Sequence, residues 1–345
     1  MKFVSSPYSL KETLLWPYYQ AFPDITNKAG VIKSPASYIN KNVSGDKIKL
    51  LFFGDVISLF GEKLPKSHPQ ISIHFQNADI IIGNLESPIT RDKKNSGRIT
   101  SFVFSSSAQF LEEFCSEFQV DPKKLHLSLA NNHIGDHGPQ GLEQTLQQLQ
   151  RLEITPLGLR SHLNILIKDE LNISIFAYTQ WLNHEVFGES SGVNRVWDLK
   201  DYSPSSISNY NLVLPHWGYE FRHFPEMINR NLAIELSGKN TNLIVGHHPH
   251  VLQPIEQHNE MLCAYGLGNL MGVQLAWETK LGALLEVELV SRGKDIGKLA
   301  SYKLIPFYLL KTKKTHQILP VNELDCKLTK KCHTRLELLY PGIRI

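Results

Sequence analysis

The chain has 345 residues, 42% of them hydrophobic and 20% charged, a composition ordinary for a globular protein that can bury a sizeable core. Its formal net charge of +3 is too small to indicate nucleic-acid binding by itself, and no run of about 18 apolar residues predicts a transmembrane helix or membrane anchor. No signal-peptide core follows Lys2 and no C-x-x-C pair occurs, so we expect a soluble cytoplasmic protein with free thiols, although Cys326 and Cys332 could pair in an oxidising compartment.

Three segments are predicted along the chain. Residues 1–46 form an N-terminal extension that is rich in aromatic residues and prolines, which is typical of a stretch that packs on the core rather than folding alone. Residues 47–310 form the main domain, and residues 311–345 form a C-terminal extension. The sequence indicates no role for either extension.

Short apolar runs alternate with helical patterns in the main domain. The predicted strands cover 47–53, 78–82, 125–129, 173–178, 212–214 and 243–245, and the predicted helices cover 107–118, 138–152 and 225–236. This alternation favours a layered α/β fold. Two further strands, 281–290 and 301–310, are predicted to form an antiparallel pair that completes a second sheet. The irregular stretch 181–210 is predicted to be a lid or binding loop.

Five of the predicted strands end in polar residues of the metal-ligand type. Strand ends of an open α/β sheet converge on one crevice, so residues far apart in the chain would meet there. Carboxylate, amide and imidazole groups together suit Mn, Fe or Zn, and one or two such ions could activate a water. The five motifs are Gly54-Asp55, Asn84-Leu85-Glu86, Asn131-Asn132-His133, His216-Trp217-Gly218 and His247-His248-Pro249-His250.

The five motifs do not carry equal weight. A Gly-Asp pair after a strand is usually only a turn, so Asp55 is weak evidence alone, and Glu86 is equally weak. Three histidines within four residues favour metal ligation over surface decoration. His133 is either a general acid beside the metal or another ligand. Asp136 either orients that imidazole or caps the following helix.

These motifs resemble the CapA family, the bacterial capsule-synthesis and poly-γ-glutamate proteins related to calcineurin-like metallophosphoesterases. The resemblance covers about residues 47–275 and keeps the family order of motifs. It implies an α/β fold, a four-layer α/β/β/α sandwich of the metallophosphoesterase type. The matching stretches are 52–55, 78–90, 128–138, 216–220, 245–254 and 265–269.

The resemblance also implies roles for individual residues. His133 would be the general acid, and Glu86 would bridge the metals. The metal ligands would be Asp55, Glu86, Asn132, His216, His248 and His250. The resemblance also implies that Asn269 lines the site. Apart from the resemblance, Asn84 and His247 are expected around the ligands, and Arg222 is expected against an anionic substrate.

One departure from the wider superfamily limits this picture. The superfamily usually has a histidine two residues after the first aspartate, where this chain has Ile57, so one of two metal sites would be poorer in ligands. The leading hypothesis is a soluble metal-dependent hydrolase that uses a metal-activated water on an anionic small molecule or polymer, either a phosphoester or a glutamyl-polymer amide. The alternative is a non-catalytic, metal-containing accessory protein of capsule or poly-γ-glutamate synthesis. The oligomeric state stays open.

Overall fold

The computed structural model describes residues 7–58, 63–90, 103–160, 164–188, 192–202, 208–272, 274–312 and 316–344. The strands of this part of the chain are β1 (Ser37–Ile39), β2 (Lys47–Val56), β3 (Lys66–Ser67), β4 (Ile80–Leu85), β5 (Leu125–Ser128), β6 (Thr155–Leu157), β7 (Asn164–Lys168), β8 (Leu171–Thr179), β9 (Tyr210–His216), β10 (Leu243–Val245), β11 (Ile255–His258), β12 (Met261–Ala264), β13 (Asn269–Met271), β14 (Leu281–Val290), β15 (Leu299–Lys311) and β16 (His316–Pro320). The α-helices are α1 (Leu10–Ala21), α2 (Pro69–Gln76), α3 (Phe110–Phe118), α4 (Gly138–Arg151), α5 (Met227–Ser237) and α6 (Cys326–Leu339).

The first sheet runs in the order β3-β16-β15-β14-β2-β4-β5-β6, with β1 paired to β15 and β13 paired to β2. Strands β2, β4, β5 and β6 are parallel to one another, so their carboxyl ends lie at one edge. The parallel strands are nearly continuous apolar runs, as strands covered on both faces must be. The polar residues that end them therefore meet at that edge.

The second sheet runs in the order β11-β12-β10-β9-β8-β7. Strands β8, β9, β10 and β12 are parallel, and β7 and β11 are antiparallel additions at the two sides. All residues of β9 and β10 are buried. Buried apolar residues of both sheets belong to one continuous core, which places the sheets against each other.

Helices cover the outer faces of the two sheets. Helices α2, α3 and α4 pack beside strands of the first sheet, and α5 packs beside β11 of the second. Helix α4 carries its apolar residues at helical spacing, and it buries Leu142 and Leu149 on one side. The result is the four-layer α/β/β/α sandwich that the family resemblance implies, and it confirms the layered α/β fold that the alternating pattern predicts.

One predicted feature of the topology is wrong. Strands β14 and β15 do form an antiparallel pair, but β14 also pairs with β2, so both belong to the first sheet. The chain re-enters the first sheet through β13, which lies parallel to β2, and β14 then occupies the free side of β2. The second sheet is built instead from strands between residues 164 and 264.

The segments on either side of the main domain contribute to the same structure. Strand β1 extends the first sheet at β15, and β16 pairs with β15 and β3. The segment boundaries themselves remain a prediction. All four cysteines are free thiols, so the Cys326–Cys332 disulfide is not formed. Within the described residues, no helix combines the length and the apolar character needed to cross a membrane.

Candidate metal centre

The strand-end motifs of the two sheets face one another. Asp55 near the end of β2 is in register with Asn84 of β4, and the Asn84 side-chain amide donates to Asp55 Oδ1 at 2.8 Å. The same amide lies 3.3 Å from Nδ1 of His216, at the end of β9 in the second sheet. The backbone N–H of His248 donates to Asp55 Oδ2 at 3.1 Å. The centre is thus assembled from both sheets.

In the part of the chain that the structure describes, three groups of side chains could each hold a metal ion. Within each group the ligand atoms lie within 4.8 Å of one another. Two groups share Glu86, as a carboxylate bridging two ions would require. The groups are Glu86 with His216 and His248, Asp55 with Glu86 and His250, and Glu220 with His248 and His250.

Glu86 gives the clearest sign that the centre fits a cation. Its side chain is fully buried, and neither carboxylate oxygen has a hydrogen-bond partner among the described residues. The closest imidazole nitrogens, those of His216 and His250, lie 3.5 and 3.8 Å from Oε1. Burial, together with the charge of Asp55, raises the pKa of Glu86 well above its ordinary value. A buried carboxylate without donors is costly unless a positive charge compensates it, and a divalent cation would do so.

His250 carries positive charge in this centre. Burial alone would lower its pKa, but Glu86, Asp55 and Glu220 outweigh burial and raise it to about 10. Its Nδ1 lies 3.4 Å from Asp55 Oδ2 and 3.0 Å from Asn269 Oδ1. Burial would raise the pKa of Asp55, yet contact with His250 keeps it below the ordinary value. In the absence of metal, the positive charge of the His250 imidazolium therefore offsets the negative charge of the carboxylates, as a bound cation would.

His216 and His248 are held as neutral imidazoles, the form in which histidine binds metals. Burial lowers the pKa of each well below the ordinary value, and neighbouring histidines add to the effect. Nε2 of His216 lies 2.8 Å from Oδ1 of Asn132, which brings the predicted amide ligand to the same place. Nδ1 of His248 is buried without a hydrogen-bond partner among the described residues.

His133 and Asp136 form a buried pair at the side of the centre. Nδ1 of His133 lies 2.7 Å from Asp136 Oδ2, and the same oxygen accepts from the Phe104 backbone N–H at 2.8 Å. The Phe104 ring covers the imidazole at 4.1 Å between centroids. The N-cap residue of α4 is His137. Of the two roles predicted for Asp136, contact with the imidazole is the one the geometry favours.

The loop after β10 takes an unusual backbone course. His248 and His250 have φ angles of 96° and 57°, a region that non-glycine residues rarely occupy. A Cβ on Gly246 would lie 2.0 Å from the Tyr265 carbonyl oxygen, so the close approach of these segments requires glycine. Such strained positions concentrate at functional sites. Here the turn directs two imidazoles into the centre.

Three of the four residues expected around the ligands also have defined positions. Asn84 and Asn269 contact Asp55 and His250, as described above, whereas His247 Nε2 lies 3.3 Å from the Phe53 carbonyl oxygen. Burial lowers the pKa of His247. None of the three candidate groups includes His247.

Arg222, expected against the substrate, is engaged elsewhere. Its guanidinium pairs with Glu12 of α1 at 2.7 Å and lies over the Tyr19 ring at 3.3 Å. It therefore joins the N-terminal segment to the loop after β9. A substrate contact for Arg222 remains a prediction.

Two residues near the centre were not predicted from the sequence. Glu220 completes the third candidate group, and its motif could have suggested it, since it lies four residues after His216. The hydroxyl of Tyr8 lies 2.7 Å from Nε2 of His248. Nothing in the pattern around Tyr8 distinguishes it from the other aromatic residues of the extension.

Comparisons with known proteins find a family and relatives that match most of the chain. The family of the bacterial capsule synthesis protein PGA_cap matches residues 50–274, more than half of the chain. The PGA biosynthesis protein CapA of Bacillus subtilis (strain 168) is 27% identical over 274 residues, covering 73% of this chain and 70% of the relative. The capsule biosynthesis protein CapA of Bacillus anthracis is 25% identical over 289 residues, covering 74% and 67%.

A solved structure shows the same fold. It is a Staphylococcus aureus protein described as a candidate 5′-nucleotidase, crystallised with α-ketoglutarate. The TM-score is 0.51 at 14% sequence identity, and the match covers 84% of this chain. The chain spans 58% of the length of that protein, and at this identity the likeness concerns the fold alone.

Proposed function

Because the chain belongs to the bacterial capsule synthesis protein family PGA_cap, we propose that it is a metal-dependent hydrolase of an anionic substrate, with a phosphoester as the first candidate. The observation that carries this proposal is the buried Glu86 carboxylate, which has no donor among the described residues and is shared by two candidate metal groups. A glutamyl-polymer amide is the second candidate substrate, in line with the name of the Bacillus subtilis relative, PGA biosynthesis protein CapA.

The proposal assigns the ligands of a cation to two of the candidate groups. Glu86 with His216 and His248 would hold one ion, and Asp55 with Glu86 and His250 would hold another once His250 gives up its proton. A bound divalent ion supplies Lewis-acid chemistry and lowers the pKa of a coordinated water. Because His250 must become neutral to bind, metal binding at this group would release a proton.

The His133–Asp136 pair supports catalysis rather than binding alone. Asp136 accepts a hydrogen bond from Nδ1 of His133, which leaves Nε2 as the position that holds a transferable proton in the imidazolium. The carboxylate fixes the orientation of the ring. A proton donor placed this way contributes typically about 10²–10⁴-fold to a rate. We assign His133 the protonation of the leaving group.

The proposal is tested by metal analysis of the purified chain and a manganese-supplemented screen. The substrates are p-nitrophenyl phosphate, bis-p-nitrophenyl phosphate and poly-γ-glutamate. We expect His133→Gln to lower kcat by about a hundredfold or more, with unchanged metal content. His74→Gln is the matched control, since His74 also pairs with a carboxylate, Glu286 at 2.8 Å, away from the centre. Full activity of Asn132→Ala or His250→Ala would contradict the proposal.

A second function is supported by a different observation. The residues His216, His248 and His250 are at most 1% exposed. A metal that only stabilises a binding or assembly protein needs no access to solvent, so such burial fits this role. This accessory role in capsule or poly-γ-glutamate synthesis predicts stoichiometric metal without turnover of any of the three substrates. The same screen therefore separates the two functions.

A further inference from the structure

Tyr8 brings a phenol from outside the family match into the candidate metal centre. Its hydroxyl lies 2.7 Å from Nε2 of His248, and the electrostatic surroundings of the phenol include Glu220 and Glu86. Its ring meets those of Trp181 and Tyr219 edge-on, each at 5.2 Å between centroids. The family match begins at residue 50, so this contact is supplied by a segment that the match does not include.

The two ring nitrogens of His248 differ in their hydrogen bonding. Nε2 is engaged by the Tyr8 hydroxyl, whereas Nδ1 is buried and has no hydrogen-bond partner among the described residues. A metal-binding histidine usually has one nitrogen on the ion and the other in a hydrogen bond that fixes the tautomer. His248 belongs to two of the candidate metal groups. The pattern is therefore that of an imidazole prepared to ligate through Nδ1.

The segment that carries Tyr8 is fastened to the loop that follows β9. Glu12 pairs with Arg222, and the Trp16 indole N–H donates to the Glu220 carboxylate. The Arg222 guanidinium also lies over the Tyr19 ring. None of the described side chains of α1 is buried in the core, so these contacts and the Tyr8 ring hold the helix in place. Glu220 is itself a candidate ligand, which joins the helix to the centre at a second point.

We propose that Tyr8 is a positioning residue of the metal centre. Its hydroxyl accepts the Nε2–H of His248 and keeps that imidazole in the tautomer whose Nδ1 lone pair is free for a cation. The segment from Tyr8 to Ala21 is then part of the centre rather than a covering of the core. The inference rests on one part of the proposed function, namely that the centre binds metal. It requires no particular substrate.

The test compares the full chain with Tyr8→Phe, which removes the hydroxyl and keeps the ring against Trp181 and Tyr219. Calorimetric titration with Mn²⁺ is expected to show binding weakened by about 10- to 100-fold. Tyr18→Phe is the matched control, because Tyr18 lies on α1, in the same segment as Tyr8, with its side chain exposed, and we expect a change within about twofold. Unchanged Mn²⁺ affinity in Tyr8→Phe would overturn the proposal.

A second measurement needs neither metal binding nor turnover. Long-range ¹H–¹⁵N spectra of the metal-free chain with labelled histidine report which nitrogen of His248 carries the proton, with His248→Gln used to assign the signals. We expect the proton on Nε2 in the wild type and a mixture of tautomers in Tyr8→Phe. A proton on Nδ1 in the wild type would refute the inference. Metal binding without hydrolysis would defeat the proposed function alone.

Discussion

Glu86→Gln should separate the metal requirement of this fold from its intrinsic stability. The glutamine keeps the size of the side chain and removes the charge that two candidate metal groups share. The pKa of Glu86 is higher in the folded state than its value of about 4.5 in the unfolded state. The metal-free wild type therefore loses stability as the pH rises from the unfolded-state pKa toward the folded-state pKa. The glutamine has no such loss. Metal-free Glu86→Gln should therefore unfold at a higher temperature than the metal-free wild type at neutral pH.

The size of the expected effect is the increase in Tm when metal binds. A metal ion at about one hundred times its Kd stabilises the native state by about 2.7 kcal/mol. An unfolding entropy of about 2.1 cal/mol/K per residue over 345 residues converts this to a Tm increase of about 4 °C. If the loss of charge in Glu86→Gln weakens metal binding about a hundredfold, the same metal concentration stabilises the native state by only about 0.4 kcal/mol. The corresponding Tm increase is less than about 1 °C.

The assay is thermal unfolding followed by circular dichroism, with EDTA or with Mn²⁺. Glu256→Gln is the control, because Glu256 is a buried carboxylate paired with Arg230 at 2.8 Å and belongs to none of the candidate metal groups. This control should be destabilised in both conditions and keep the full metal-dependent shift. A shift of the wild-type size in Glu86→Gln would refute the reasoning, as would a wild type that responds to no divalent ion.

Two further predictions concern stability. Burial and Arg335 lower the pKa of His223 to about 3, so the unfolded state binds more protons below pH of about 6.5 and stability falls as pH falls. His223→Gln should therefore lose about 2 kcal/mol less stability than the wild type between pH 7.5 and about 5, as measured by urea unfolding at each pH; an identical loss would contradict this. A Cβ on Gly54 would lie 1.8 Å from the Gly268 carbonyl oxygen, and Gly54→Ala should cost about 1–3 kcal/mol and weaken Mn²⁺ binding because it displaces the neighbouring Asp55. Native stability in that variant would show that the two backbones can separate freely.

The sequence predicts most of the parallel strands because their physical signal, an apolar run, is local. Parallel strand β10 and antiparallel strand β14 have the predicted bounds, and β2, β4, β5, β8 and β9 differ from the predicted runs only at their ends. The short parallel strands β6, β12 and β13 were not predicted. Strand partners are not local, which is why β14 was assigned to the wrong sheet. Apolar alternation shows that a strand has a buried face, but the free side of β2 becomes apparent only once the first sheet is assembled.

The candidate site also contains residues that the sequence predicts and residues that it does not. Asp55, Glu86, His216, His248 and His250 follow apolar runs, so the convergence of strand ends brings them together without further information. Tyr8 and Glu12 do not follow a strand, and their positions depend on contacts with Trp181, Tyr219 and Arg222. An exposed helix that docks through side-chain contacts leaves no periodic pattern in the sequence.

The assembly of the centre from two sheets has a mechanical consequence. Asp55 and Glu86 belong to the first sheet and the turn after it, whereas His216 and His248 belong to the second. A cation held between them would join the two sheets at their carboxyl ends, and Tyr8 would tie α1 to the same point through His248. Loss of metal should then loosen the sheet ends and α1 together, while the helices behind the sheets stay protected. This coupling follows from where the ligands lie, whichever anionic substrate the centre accepts.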